Sequence, residues 1–341
     1  MTIHEVAALA GVSIKTVSRV MNGEPYVRAE TADRVRSAAS ELNYRPNMSA
    51  RNLATERSYQ VALWHGLHGG GISSYYITIQ NSFVKACMDM AFGPVLDPLD
   101  MASQNVIDNA LASLAEKRPC GVVLTPPFSD NEELIARLAD TNTAFVCLSP
   151  SDENTGRSFV ATDDKRGARE LTEYILDRGH TRIGFISGHP EHGAAMRRLA
   201  GFREAHDRRG IPIDDRLVTR GLFTFSSGAD TVGKLLSLKD RPTAVFAAND
   251  DMAAGVVFRA HEMGLDIPND LSVAGFDDTA IARYIYPGIT TVHQPLDEMI
   301  RASVEHLVKR AQKRNGDAPE SLSKRFSCRL VVRESVGSRH R

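Results

Sequence analysis

Lys15 and Arg19 stand four residues apart in IKTVSRVMNG, and Val17, Val20 and Met21 fall on the other side of the same helical stretch. Two long donors on one face, with Thr16 and Ser18 beside them, can reach base edges in a DNA groove while the apolar face holds the helix to its own domain. Taken alone, the pair reads better as two solvated cations on a surface helix. A second set of polar residues follows apolar runs far downstream: Arg198 in MRRLAGF, Phe223 in GLFTFSSG, Asn249 after TAVFAA, Asp277 after LSVAGF and Gln294 after TTVH. Tyr75 and Tyr76 follow the loop after the first such run. Bidentate donors and acceptors bridge adjacent hydroxyls and flat aromatics cover C–H faces, so this set suits a small polyhydroxylated ligand.

Other chemistry is poorly served. Gly69-Gly70-Gly71 lacks both the trailing GK[ST] of a phosphate loop and the GxGxxG spacing of a dinucleotide loop. His189 and His192, in GHPEHG, have no third ligand at metal spacing, and Ser226-Ser227-Gly228 is not a GxSxG elbow. No nucleophile–base pair, metal set or cofactor motif emerges, so neither an enzyme nor a cofactor is expected. The four cysteines (Cys87, Cys120, Cys147, Cys328) form no CxxC pair, and Cys120 and Cys147 lie in apolar runs, as buried free thiols do in a reducing cytoplasm.

The elements around Lys15 and Arg19 remove the ambiguity. Thr2-Ile-His-Glu5 has the form of a capping box, followed by Val6, Leu9 and Ala10 at helical spacing. Gly11 can end that helix left-handed, and Ser13 can cap a second helix two residues later. Two short helices joined by so tight a turn form a helix-turn-helix. Asn22-Gly23 ends the second helix, and a third at about 29–43 presents Val35, Ala38, Ala39 and Leu42 to a small core. Pro46 stops the helical run. Residues 47–57 are polar and helix-compatible, yet shorter than the ~12–15 residues at which an isolated helix becomes stable.

TIHEVAALAGVS, IKTVSRVMNG, LNYRPN and SARNLATERS, in this order, resemble the lactose/galactose repressor family over essentially the whole chain. The resemblance implies that Ile14, Lys15 and Arg19 face the major groove, with Thr16, Ser18 and Asn22 in the same interface. It also implies a hinge helix over 48–56 in the minor groove, with Arg51 on phosphate and Leu53 wedged into the central base step, where an apolar wedge kinks DNA. Arg28-Ala29-Glu30-Thr31 stands where the family usually has a Ser-Pro-Glu-Thr start, which leaves the third helix with a weaker cap. Downstream it implies two lobes resembling periplasmic sugar-binding proteins, with the chain crossing between them more than once. Arg198, Phe223, Asn249, Asp277 and Gln294 match effector-contacting positions, and Tyr75 and Tyr76 fall where ligand-stacking aromatics often sit. A sugar is the expected effector, but Ser149 stands where some sugar-responsive members carry an acid, so a purine or other non-sugar effector stays open.

The residues read independently agree on an α/β class. Strands are expected at 59–64, 120–125, 144–149, 182–187, 243–248 and 271–276, with helices near 77–91, 103–117, 131–140, 166–179, 197–209, 228–238, 250–263 and 295–314. Alternation on this scale predicts parallel sheets in two α/β lobes with a cleft at the carboxyl ends of the strands. Asp163, Asp250 and Asp278 read as N-caps of the helices that follow them. The expected organisation is a small all-α helix-turn-helix domain over 1–46, a hinge over 47–57, and an effector-binding and dimerisation domain over 58–341.

Composition adds limits. The net charge of −1 and 24% charged residues suit an ordinary globular chain, and the surplus of Lys/Arg in residues 1–57, eight against six Asp/Glu, fits any solvated face. No run approaches the ~20 apolar residues of a membrane span, and MTIHEVAALAGVS has no signal-peptide core, so a cytoplasmic protein with no membrane partner is expected. A helix-turn-helix this small reads few base pairs, which predicts a homodimer on a palindromic double-stranded operator. A stand-alone ligand receptor is the competing class; residues 1–57 and the missing signal peptide argue against it.

Overall fold

Thr2 accepts a hydrogen bond from the Glu5 N–H while the Glu5 carboxylate accepts from the Thr2 N–H at 2.6 Å, closing the capping box that starts helix α1, Ile3–Ala10. Gly11 ends it at φ +64°, a left-handed conformation that carries no Cβ penalty for glycine. Ser13 Oγ accepts the Thr16 N–H at 3.2 Å at the start of α2, Ile14–Met21. Helix α3, Ala29–Glu41, begins at Arg28 with no side-chain cap. Val6, Ala7, Ala10, Val17, Val20, Val35 and Ala38 close a small core. Leu9, expected on the buried face, is 48% exposed; three short helices leave room inside for Ala7 instead.

In this computed structural model the chain divides into two units, Met1–Tyr59 and Gln60–Arg341. Residues 2–21, 27–44, 58–67, 73–190, 192–313 and 320–339 are described. Asn22, Arg51, Leu53, the helix expected over 48–56 and the glycine run 69–71 lie outside the described residues.

The second unit has two lobes. In the first, six parallel strands run in the order β11-β5-β4-β3-β1-β2: β1 Gln60–Leu67, β2 Gly93–Asp100, β3 Gly121–Leu124, β4 Ala144–Leu148, β5 Phe159–Thr162 and β11 Ser323–Phe326. The central strands are buried along their length, as a sheet covered on both faces requires. Helices α4 (Ser74–Asp89), α5 (Val106–Lys117), α6 (Glu132–Asp140) and α12 (Leu296–Gln312) pack on this sheet.

In the second lobe four parallel strands run β7-β6-β8-β9: β6 Ile183–Ser187, β7 Val218–Arg220, β8 Ala244–Ala247 and β9 Ser272–Ala274. Helices α7 (Asp164–Asp177) and α8 (Gly193–Arg209) pack on each other, as do α9 (Phe225–Leu236) and α10 (Asp250–Glu262). The short helix α11, Ala280–Tyr284, and the antiparallel pair β10 (Thr291–His293) and β12 (Arg329–Val331) complete the lobe.

The chain passes between lobes three times, at 162–164, 293–296 and 326–329. The passages are tied together: the Asp163 N–H donates to Phe326 O at 3.1 Å, and the Thr162 hydroxyl donates to Gln294 Oε1 at 2.8 Å.

Two expected caps are corrected. Asp163 does cap α7, accepting the Arg166 N–H at 3.2 Å. Asp250 does not cap α10, because Asn249 one residue earlier takes that position and accepts the Met252 N–H at 3.0 Å. Asp250 is instead a buried acceptor for the Thr279 N–H and the Thr291 hydroxyl, at 2.7 and 2.6 Å. Asp278 pairs with Arg333 and His293, and Thr279 stands at the start of α11.

Candidate functional site

Where the two lobes meet, an empty space of about 480 Å³ is lined by Ser73, Tyr75, Tyr76, Pro126 and Ser149 of the first lobe and His192, Ala194, Arg198, Phe223, Asn249 and Asp277 of the second. It sits at the carboxyl ends of the strands, where open α/β sheets place ligands. Tyr75 and Tyr76 occupy the first turn of α4, edge to face at 5.6 Å. The Tyr76 hydroxyl donates to Pro126 O at 2.6 Å, and burial pushes its pKa up to about 12. Tyr75 is raised too, by burial first and then by nearby Asp277. Both phenols are therefore neutral donors at physiological pH.

Arg198 anchors the opposite wall. The α8 helix carries it inward until the residue is 3% exposed, and it makes three polar contacts. Nε donates to Asp164 at 2.9 Å, Nη1 donates to Ala248 O at 2.5 Å, and Nη1 lies 3.2 Å from Asp277. Its guanidinium carbon stands 3.8 Å from the centre of the Phe276 ring. Burial works against its charge, but Asp277 and Asp164 overcome that and raise its pKa further.

Asp277 follows β9 at φ +113°, a sparsely populated backbone conformation, and its carboxylate lies 3.2 Å from Arg198 Nη1. Gln294 Nε2 donates to its Oδ1 at 2.6 Å. Burial raises the Asp277 carboxyl to about 7, with Arg198 and Gln294 pulling the other way. Asp250 behind it is raised well above the usual carboxylate range, by burial and by Asp277.

Phe223 is held at φ +62° and its carbonyl accepts from Asn249 Nδ2 at 3.1 Å. Gly188 makes room for its ring, since a Cβ there would fall 1.8 Å from the ring tip. The His192 ring stacks on it at 5.4 Å and 26°. The cavity thus combines flat aromatic faces with one guanidinium, one carboxylate and one amide.

In the first unit, Lys15 and Arg19 are exposed on α2, and Thr16 and Ser18 are partly so. Ile14 beside them is 41% exposed, while Val17 and Val20 point into the core. One helix therefore presents two cations, two hydroxyl side chains and an apolar group to solvent, as base readout requires.

Residues 2–47 match bacterial regulatory proteins of the lacI family, and residues 172–336 match a periplasmic binding protein-like domain. The ribose operon repressor of Escherichia coli K12 is 32% identical over 311 residues, covering 91% of this chain and 92% of that one. The chain belongs to the lacI family. A second relative, the HTH-type transcriptional repressor PurR of Vibrio vulnificus, is 30% identical over 343 residues, 98% of each chain. Among solved structures, the lac repressor dimer bound to operator and the anti-inducer ONPF has a TM-score of 0.77 at 27% identity, covering 99% of both chains. The complex of transcriptional regulator CelR with cellobiose has a TM-score of 0.74 at 31% identity, covering 98% of this chain and 99% of that one. This lacI-family chain is a DNA-binding transcriptional regulator with the expected fold class, a helix-turn-helix followed by a two-lobed α/β domain. The relatives it matches are repressors rather than enzymes. No helix among the described residues is long and apolar enough to cross a membrane.

Of the residues expected around a ligand, Tyr75, Tyr76, Arg198, Phe223, Asn249 and Asp277 come together on one cavity. Gln294 stands apart: it lies behind Asp277 and joins it to Thr162 in the interlobe passages. Sequence reasoning passed over Asp164, a fully buried partner of both Arg197 and Arg198. It sits one residue past a cap, and only an acid next to the expected cap hinted at it. His192, weighed only as a metal ligand, packs on Phe223 instead. Among the described residues no group of His, Cys, Asp and Glu is placed to hold a metal.

Proposed function

We propose that this regulator is a ligand-gated repressor that binds a palindromic operator as a homodimer in the cytoplasm, with a sugar bound between its lobes. Residues 1–46 read DNA, 47–57 link, and 58–341 sense and dimerise. Ile14, Lys15, Thr16, Ser18 and Arg19 contact the major groove, and by family resemblance Asn22, Arg51 and Leu53 extend that interface. The observation that carries the sensing half is the cavity itself: Tyr75 and Tyr76 come from one lobe and Arg198, Asn249 and Asp277 from the other. A ligand touching both walls binds one lobe arrangement better than another, which is the requirement for shifting an equilibrium.

A thermal-shift screen of the full chain against sugars, run beside a gel-shift on a palindromic duplex that the chain selects from a random pool, tests the proposal. Stabilisation by a sugar and a sugar-dependent shift are expected. DNA binding that ignores every stabilising ligand refutes the gating, and stabilisation without DNA binding makes the chain a receptor.

A further inference from the structure

We infer that the effector is an uncharged polyol and that the cavity discriminates against the acid and phosphate forms of the same sugar. The inference rests on the sugar reading above and adds the charge class of the ligand. Among the described residues lining the cavity, Arg198 is the one guanidinium or ammonium, with the His192 imidazole the other basic group, and it is already engaged by two buried carboxylates, Asp164 at 2.9 Å and Asp277 at 3.2 Å. Arg197, the next cation, lies outside the lining. It pairs with Asp164 at 3.1 Å and donates across the lobe junction to Pro150 O at 2.8 Å and Ser149 O at 3.4 Å.

Helix N-termini are the other source of positive potential, and two that reach the cavity are already answered by protein acceptors. At α4 the Asp251 carboxylate accepts both the Ser74 N–H, at 3.1 Å, and its hydroxyl, at 2.7 Å. At α10 the Asn249 side chain takes the Met252 N–H. The start of α8, at His192, has no side-chain cap hydrogen bond and is the helix end of these three that is left for an anion.

A ligand carboxylate or phosphate would therefore enter a low-dielectric space beside Asp277 where, among the described residues, no guanidinium or ammonium is left unengaged to meet it, and a buried charge without a partner is expensive. Protonating Asp277 removes one of the two carboxylates that engage Arg198 and eases this penalty, so the discrimination belongs to pH above about 7. Hydroxyls have partners in plenty. They can donate to the Asp277 carboxylate and accept from the Tyr75 hydroxyl and the remaining Arg198 N–H groups, while Phe223 and Tyr76 cover C–H faces.

Calorimetric titration of the full chain at pH 7.5 with matched pairs tests this: glucose against glucuronate, galactose against galacturonate, and ribose against ribose 5-phosphate. The neutral member of at least one pair is expected to bind at least tenfold tighter than its anionic form. Asp277→Asn, which removes charge but not shape, is expected to narrow that ratio at least threefold. Neutral and anionic members that bind alike in every pair, or an anionic member that binds tighter than its neutral partner, overturn the inference and leave the sugar-gated regulator standing, the second pointing to the α8 N-terminus. If no sugar of either charge binds while hypoxanthine or guanine does, the sugar reading falls and this inference with it.

Discussion

Replacing Arg198 by Ala perturbs stability as well as ligand recognition, and the two effects separate with pH. In the native lobe Arg198 joins Asp164, Asp277 and the Ala248 carbonyl, with both carboxylates almost fully buried. Breaking a buried ion pair by removing one partner costs about 3–5 kcal/mol, because the other is left buried and uncompensated. For a unit of this size that lowers Tm on the order of 10 °C. The deficit has a pH signature. Burial raises the Asp277 carboxyl to about 7 even with Arg198 beside it, so the native state holds that proton more tightly than the unfolded chain does. Stability tied to this group is present below about pH 4 and is lost as pH rises through 7. Without Arg198 the carboxyl titrates higher still, and the loss continues above pH 7. Thermal melts of the wild type and Arg198→Ala from pH 5.5 to 8.5 should therefore show a gap that widens with pH. A gap that is constant, or wider in acid, refutes this account of the cluster. Operator affinity without ligand should change little.

Asp251→Ala removes both hydrogen bonds from α10 to Ser74 across the lobe junction, at 3.1 and 2.7 Å. Charge-assisted bonds of this kind contribute about 1–3 kcal/mol, so affinity for any sugar that stabilises the wild type should fall roughly 5–150-fold; an unchanged Kd by calorimetry removes them from the closing equilibrium. Gly11→Ala should destabilise the helix-turn-helix by about 1 kcal/mol, since φ +64° disfavours any Cβ while nothing nearby obstructs one. Circular dichroism melts of the isolated mutation against wild type check it, and an unaltered helical transition contradicts it. Arg19→Ala should weaken operator binding by about 1–3 kcal/mol and relax preference at one base position, whereas loss of affinity alike for all sequences would make Arg19 a phosphate contact.

How far the residues alone carried the reading depends on where their signals lie. Helix-turn-helix signals are local: the Thr2–Glu5 box, Gly11 and the Ser13 cap are each contained in a few neighbours, and all three stand as expected. Most buried parallel strands also announce themselves as apolar runs bounded by turns, but the four-residue β5, Phe159–Thr162, was not expected although it is buried throughout. Strand β2 does not, because Pro94 and Pro98 interrupt it; they are tolerated only because β2 is the sheet's edge. Strand β11, Ser323–Phe326, is mostly polar and exposed for the same reason. The cavity residues were legible at strand ends. What was not legible is which acids they use: Asp164 and Asp250 follow directly on cap residues and Asp251 comes one later, and their partners lie 29 to 177 residues away in the chain. No spacing rule reaches that far.

The central claim is that occupancy between the lobes changes DNA affinity, and one titration tests it directly. Fluorescence anisotropy of a labelled palindromic duplex, selected by this chain, gives Kd with and without a saturating sugar that stabilises the protein, in the wild type and in Asp277→Asn. A change of roughly 5–150-fold in the wild type, in either direction, is predicted, as an allosteric coupling of about 1–3 kcal/mol requires. In Asp277→Asn the sugar effect should shrink while the affinity without sugar stays close to wild type. Equal Kd values with and without bound sugar in the wild type would contradict the account.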